Sequence, residues 1–287
     1  MGSASGATAR LRALAERLTE AYPRRGAPHA ALLVGSAGRG DADEYSDLDL
    51  LLYYDELPSE EALAEVRGEV GAERFRGRGD EEGYGERYYL DGIQCQVAHV
   101  AIDSAEREID RLVVQLELDE ELLKIVSGLH EGFPLFGEDV IDRWRRAAAY
   151  TDELQRALIE KHWTFFPWWH FEERLGRRDT TIWRYDVLVQ SSYSLVAVLA
   201  ALNRLYFSKL ELKHAGDLLG RLEIAPANLA ARLEALYELD ERGSTAELER
   251  LVEETGALVA ERFPDVDLSL EWGGTPTPPG SREAPWR

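Results

Sequence analysis

Sulfur is nearly missing from this chain: one cysteine, Cys95, and one methionine stand among 287 residues. A lone thiol closes no internal disulfide and builds no multi-thiolate zinc or iron–sulfur site. Any metal expected here is therefore held by oxygen, and the cysteine usage fits a reducing, cytoplasmic setting. Long apolar runs are also lacking. Without about 18 apolar residues in a row no membrane span is expected. Met1 to Ala9 carries no basic segment followed by an apolar one, so no secretory signal is expected either. Positive charge is the third scarcity. Lys and Arg number 33 against 54 Asp and Glu, a formal net charge of -21 at pH 7, and a surface that acidic repels a phosphate backbone. The one basic run, Arg74-Phe75-Arg76-Gly77-Arg78, is brief and is soon followed by Asp80-Glu81-Glu82. Nucleic acid is disfavoured as a partner on this ground.

What is present concentrates between Leu33 and Tyr54. An apolar strand runs into Gly35-Ser36, a short polar excursion follows, and a second strand opens with Asp47-Leu48-Asp49. Side chains alternate along a strand, so Asp47 and Asp49 share one face while Leu48 and Leu50 take the other. Two like charges on one patch are costly without a cation between them, and two hard oxygen ligands suit Mg²⁺ that arrives with substrate phosphates. Upstream, Gly35 lets the backbone approach a phosphate, Ser36 can donate to it, and the turn supplies N–H donors.

Gly35-Ser36, ten intervening residues and Asp47-Leu48-Asp49 together resemble the signature of the polymerase β-like nucleotidyltransferase superfamily. The look is closest to the aminoglycoside and lincosamide nucleotidyltransferases. The resemblance implies that Gly35 and Ser36 hold a nucleoside triphosphate, with ATP as the expected donor, and that Asp47 and Asp49 hold Mg²⁺. Arg39 and Ser46 are expected to join the nucleotide contacts. Asn203-Arg204-Leu205-Tyr206-Phe207, with Lys209 and Lys213 behind it, resembles a helix end from which related proteins reach the phosphates with a lysine, here Lys209.

Members of the superfamily carry a third carboxylate on a neighbouring strand. In Ile93-Gln94-Cys95-Gln96-Val97-Ala98-His99-Val100 that place falls to Gln96, with Gln94 on the same face. An amide oxygen can bind a hard cation or hold a hydroxyl, but it takes no proton at neutral pH. His99, on the opposite face of a regular strand, Glu86, and the acids Glu117, Asp119, Glu120 and Glu121 are the other candidates for a base. An amine or phosphate nucleophile would need none, and a domain that only binds nucleotide is a further reading.

The chain reads as α/β followed by all-α. Helices are expected over Thr8 to Ala21 and from the Ser59 cap to Val70. Strands are expected over Ala30 to Val34 and Asp47 to Tyr54, then a hairpin of Tyr88 to Leu90 and Ile93 to Val100 about Asp91-Gly92. Gly77 to Gly85 reads as a loop, and Ser104 as the cap of the next helix. Beyond Pro134-Leu135-Phe136-Gly137 the 3.6-residue period predicts a helical bundle, with helices near 138–160, 162–176, 179–207, 212–222, 226–242 and 244–263. The expected divisions are a nucleotidyltransferase domain over 1–125, the bundle over 126–265 and an extended tail over 266–287. Trp163, Phe165, Phe166, Trp168, Trp169, His170, Phe171, Trp183 and Tyr185, bordered by Glu172, Glu173, Asp179 and Asp186, either pack the bundle or line an acceptor pocket.

The resemblance and the charge together lead to one expectation: transfer of AMP from ATP to a neutral or cationic small molecule such as an antibiotic, releasing pyrophosphate, by a monomer or homodimer. An antitoxin-like or RNA-directed transferase and a nucleotide-binding module without transfer are the alternatives.

Overall fold

The computed structural model describes residues 6–22, 27–79, 83–166 and 181–270. The chain divides into two units, Met1–Ala149 and Tyr150–Arg287.

The first unit is built on six strands: β1 (Ala30–Val34), β2 (Leu48–Tyr54), β3 (Glu73–Gly79), β4 (Gly83–Leu90), β5 (Ile93–Ala101) and β6 (Phe133–Phe136). They lie in the order β3-β4-β5-β2-β1-β6. Only β2 and β5 run parallel; the other neighbours are antiparallel, so the sheet is mixed. Alternation along β2 and β5 assigns the faces. Leu48, Leu50, Leu52, Cys95 and Val97 are all buried. They pack with Leu11, Leu14 and Leu18 of α1 (Gly6–Thr19) and with Leu63 and Val66 of α3 (Glu60–Val70). Ser59 caps α3 by accepting from the Ala62 N–H, and Glu60 and Glu61 follow in the positive first turn, as the sequence predicts.

On the opposite face, Tyr53 is covered edge-on by Trp144 of α6 (Glu138–Ala147), ring centroids 4.7 Å apart. The Asp49 end of that face is only partly covered. The remaining helices of the unit are α2 (Gly35–Arg39), α4 (Ile102–Val113) and α5 (Glu120–Glu131).

A buried polar cluster stands under the closed face. The Glu86 carboxylate and the His99 ring are both wholly shielded, 3.0 Å apart, and Glu86 also pairs with Arg67. His99 Nδ1 lies 3.0 Å from the Tyr54 hydroxyl. A buried carboxylate is tolerable because each of its oxygens has a donor.

Several expectations differ from what is found. Gly77 to Gly85 is not a loop: it contributes to β3 and β4, although residues 80–82 fall outside the described residues. Every β3 residue is exposed, so no buried alternation marks it and pairing with β4 alone makes it a strand. Gly35 starts a short helix rather than an open turn. The expected helix over 138–160 is two, α6 and α7 (Asp152–His162), because Thr151 caps the second by accepting from the Leu154 N–H. The expected boundary after residue 125 also moves. β6 pairs with β1, and Arg145 of α6 donates to the carbonyls of Leu129 and Gly132, which binds 126–149 to the first unit.

Among its described residues the second unit is helical, with α7, α8 (Thr181–Leu202), a 3₁₀ turn (Lys209–His214), α9 (Ala215–Gly220), α10 (Leu229–Glu238) and α11 (Glu241–Arg262). The helix expected at 162–176 lies mostly outside the described residues, and 163–166 is not helical. By length and composition α8 could cross a membrane, but 67% of its most apolar window is buried in the protein. That marks a core helix. Gln155 caps its end by donating to the carbonyls of Ala201 and Leu202. Trp163 and Phe165 are buried edge to face, and Phe166 meets an exposed Trp183 edge to face. Trp168, Trp169, His170, Phe171, Glu172, Glu173 and Asp179, like the tail beyond 270, fall outside the described residues.

Candidate active site

Strand register builds the site. Val34 faces Asp49 across the β1–β2 pair, and Asp49 faces Gln96 across the β2–β5 pair. Residues directly opposite share a face, so Asp49 and Gln96 stand side by side. Asp47, just ahead of β2, comes to the same place. One nitrogen of Gln96 donates to both carboxylates, 2.7 Å from Asp47 Oδ2 and 2.9 Å from Asp49 Oδ1. Gln94 donates to Asp47 Oδ2 at 3.3 Å and accepts from the Tyr89 hydroxyl at 3.2 Å. The two negative charges are thus held close by amide donors.

Gly35 closes the other side. Its φ of +64° is left-handed, and a β-carbon there would lie 2.7 Å from Asp49 Oδ2. The turn can hug the carboxylate only because it bears no side chain. From this point the chain enters α2, whose first residue lies against Asp49. Gly38 lets α2 cross β1 closely, since a β-carbon there would sit 2.3 Å from the Leu33 carbonyl oxygen. Arg12 closes the far end of α2 by donating to the carbonyls of Ala37 and Gly38.

A glycine turn leading to a helix, two carboxylates and a third strand in register form a unit of recognisable chemistry. Residues 11–123 match the nucleotidyltransferase domain family. Two solved structures resemble the chain at low similarity. A nucleotidyltransferase-like protein from Exiguobacterium sibiricum 255-15 is 14% identical, with 88% of this chain and 81% of that chain covered and a TM-score of 0.36. A cytoplasmic RNA terminal U-transferase is 18% identical, with 58% of this chain and 53% of that chain covered and a TM-score of 0.27. No curated protein matches the chain.

The other site residues expected from the sequence have contacts of their own. Arg39 is engaged by Asp41 at 3.1 Å and lies 3.8 Å from Glu131. Ser46 donates to Asp43 Oδ1 at 2.8 Å and accepts from the Asp43 N–H, which pins the loop ahead of Asp47. Lys209 belongs to the second unit, with its ammonium 5.3 Å from the centre of the Tyr193 ring. Glu86 and His99 are shut inside the protein, so neither meets a substrate. Glu117 pairs with Arg111, and Asp119 caps α5 by accepting from the Glu121 N–H.

The donor set accommodates a hard divalent cation. Asp47 and Asp49 offer carboxylate oxygens, and Gln96, with its terminal amide turned over, would present an oxygen in place of the nitrogen. Among the described residues no group of three or more His, Cys, Asp or Glu side chains is placed to hold a metal ion. Remaining ligands would come from water and the donor's phosphates, the usual arrangement for Mg²⁺.

Gln94 was expected only as a neighbour of Gln96 on the same face, and Tyr89 was not marked as chemistry by the sequence. The signal for Tyr89 was the register, since it is the partner of Gln94 on β4.

Proposed function

We propose that the first unit transfers a nucleotidyl group, most simply AMP from ATP, to a small-molecule acceptor with release of pyrophosphate. The observation that carries this reading is the single Gln96 amide joined to both Asp47 and Asp49, directly beside the left-handed Gly35 turn. Gly35 and Ser36 hold the triphosphate through backbone N–H groups and the hydroxyl. Asp47, Asp49 and a turned Gln96 would hold Mg²⁺, which would supply charge neutralisation for the transferred group. An acceptor oxygen or nitrogen bonds to the α-phosphorus, the bond from that phosphorus to the bridging oxygen breaks, and pyrophosphate leaves. The acceptor's proton goes to water, since Gln96 cannot take it. Antibiotics and related natural products are the acceptor class the resemblance suggests.

The test is mass spectrometry on incubations of the protein with ATP, Mg²⁺ and a library of aminoglycosides, lincosamides and related metabolites, alongside a pyrophosphate assay. A gain of one nucleotidyl unit that disappears in Asp47→Asn and Asp49→Asn, with folding intact, is the expected result. Full activity in either variant refutes the assignment. The amide in place of a third carboxylate favours a second reading, nucleotide binding without transfer. Calorimetry that detects ATP and Mg²⁺ binding while no pyrophosphate forms over the whole library would select it.

A further inference from the structure

The open face of the sheet continues past Gln96. In register, Asp49 faces Gln96, Gln96 faces Arg87 on β4, and Arg87 faces Arg76 on β3. Partners directly opposite share a face, so one row carries an aspartate, an amide and two arginines. Arg78, two residues beyond Arg76, points the same way. Its row continues through Gly85 and Ala98, which leaves a floor of small residues beside the arginines. Arg76, Arg78 and Arg87 are exposed, and among the described residues none has an ion pair or hydrogen-bonding partner for its guanidinium.

In a chain of net charge -21 three arginines gathered on one face need a reason. Arginine on an edge strand can simply block edge-to-edge pairing, and that accounts for Arg76 and Arg78. It does not account for Arg87, because β4 lies inside the sheet between β3 and β5. The whole-chain charge favours a neutral or cationic acceptor; the local charge beside the site favours an anion. Strand order separates this region from the donor. Gly35 and α2 leave β1 on one side of Asp49, and the arginines stand on the other. Two strand spacings, roughly 10 Å, part the Arg87 and Asp49 backbones.

We propose that Arg76 and Arg87 seat a phosphate group carried by the small-molecule acceptor. Two guanidinium forks on adjacent strands suit a phosphate dianion, which accepts bidentate bonds from each. This rests on Asp47 and Asp49 being the transfer site, so the experiment has two arms.

The first arm needs no transfer. In ¹H–¹⁵N spectra of arginine Nε–H groups, recorded on the full chain, millimolar inorganic phosphate should move the Arg76 and Arg87 signals, assigned by their loss in R76K and R87K, more than those of distant arginines such as Arg145. Asp47→Asn should keep the response. Equal movement of all arginines overturns the proposal.

The second arm repeats the acceptor screen with phosphorylated and dephosphorylated members of the same compounds and a 5′-phosphorylated RNA oligonucleotide. Phosphorylated small molecules should be modified at least about tenfold faster than their partners, the scale of a lost charged hydrogen bond. That preference should fall to about one in R76Q/R87Q. A neutral or cationic acceptor modified equally by wild type and R76Q/R87Q overturns this inference and leaves the transfer reading standing. Preferred labelling of the RNA overturns the small-molecule assignment. No transfer to any probe, even with the phosphate response intact, refutes the transfer reading and removes the acceptor role proposed here.

Discussion

Gln96 donates from one nitrogen to two carboxylates, and replacing that donor by a charge gives a prediction with opposite signs in two conditions. In Gln96→Glu a third carboxylate stands within hydrogen-bonding distance of Asp47 and Asp49. Without a cation the variant loses two charge-assisted bonds and gains like-charge repulsion, a cost of about 1–3 kcal/mol at a half-exposed site. Its melting temperature with chelator should fall by several degrees. Millimolar Mg²⁺ should return more stability to the variant than it adds to the wild type, because binding to the native state alone raises stability. Equal Mg²⁺ gains in the two proteins, measured by thermal unfolding, would rule out a cation between these groups. Gly35→Ala tests the opposite side of the carboxylate. A left-handed alanine costs about 1–2 kcal/mol, and its β-carbon would press on Asp49, 2.7 Å away. Nucleotidyl transfer should therefore drop at least about tenfold under conditions where circular dichroism shows the chain still folded. Wild-type turnover would mean that the turn and the carboxylate do not work as a unit.

Elements whose side chains alternate between core and solvent were legible in advance. β2 and β5 show that alternation, β1 is a short apolar run buried on both faces, and the Ser59 cap and the Asp91-Gly92 turn are local chemistry that needs no tertiary partner. Asp47 and Asp49 could be placed on one face for the same reason, whereas Gln96 was set beside them by the family resemblance. β3 and β6 could not be read in this way. The first is wholly exposed and the second is four residues long, so only pairing makes either a strand, with the next strand in the chain for β3 and with the distant β1 for β6. Arg39 and Ser46 illustrate the same limit at the site, because their partners, Glu131 and Asp43, depend on how the loop and α5 close. β6 yields a prediction about where the first unit ends. A fragment of 1–149 retains the β1–β6 pairing, the Trp144–Tyr53 contact and the Arg145 bonds, and should unfold cooperatively. A fragment of 1–125 exposes the edge of β1 and the aromatic face of Tyr53, and should aggregate or lose cooperativity. Chemical denaturation and light scattering on the two fragments check this, and a soluble, cooperatively folding 1–125 would show that β6 is dispensable.

Across the whole molecule, buried proton donors set the response to alkali. Burial pushes the Cys95 thiol up from 9.0 to about 12, and burial likewise raises the hydroxyls of Tyr22, Tyr53, Tyr54 and Tyr88 in the first unit and of Tyr150 and Tyr206 in the second above 10.0. Unfolding frees these groups to release protons near their ordinary values while the native chain still holds them. The unfolded state then binds fewer protons, so stability falls as pH rises through that window, at up to about 1.4 kcal/mol per pH unit for each group. Melting temperature should stay level up to about pH 9 and decline with increasing steepness above pH 10, in both units. The growing negative charge of an already acidic chain pushes the same way by self-repulsion, and salt separates the two causes. Exposed charges are screened within a Debye length of about 4–5 Å at 0.5 M, whereas protons released from a buried thiol or phenol are lost regardless of ionic strength. The alkaline decline should therefore persist in 0.5 M NaCl. A decline that vanishes there would assign it to surface repulsion and not to the buried hydroxyls.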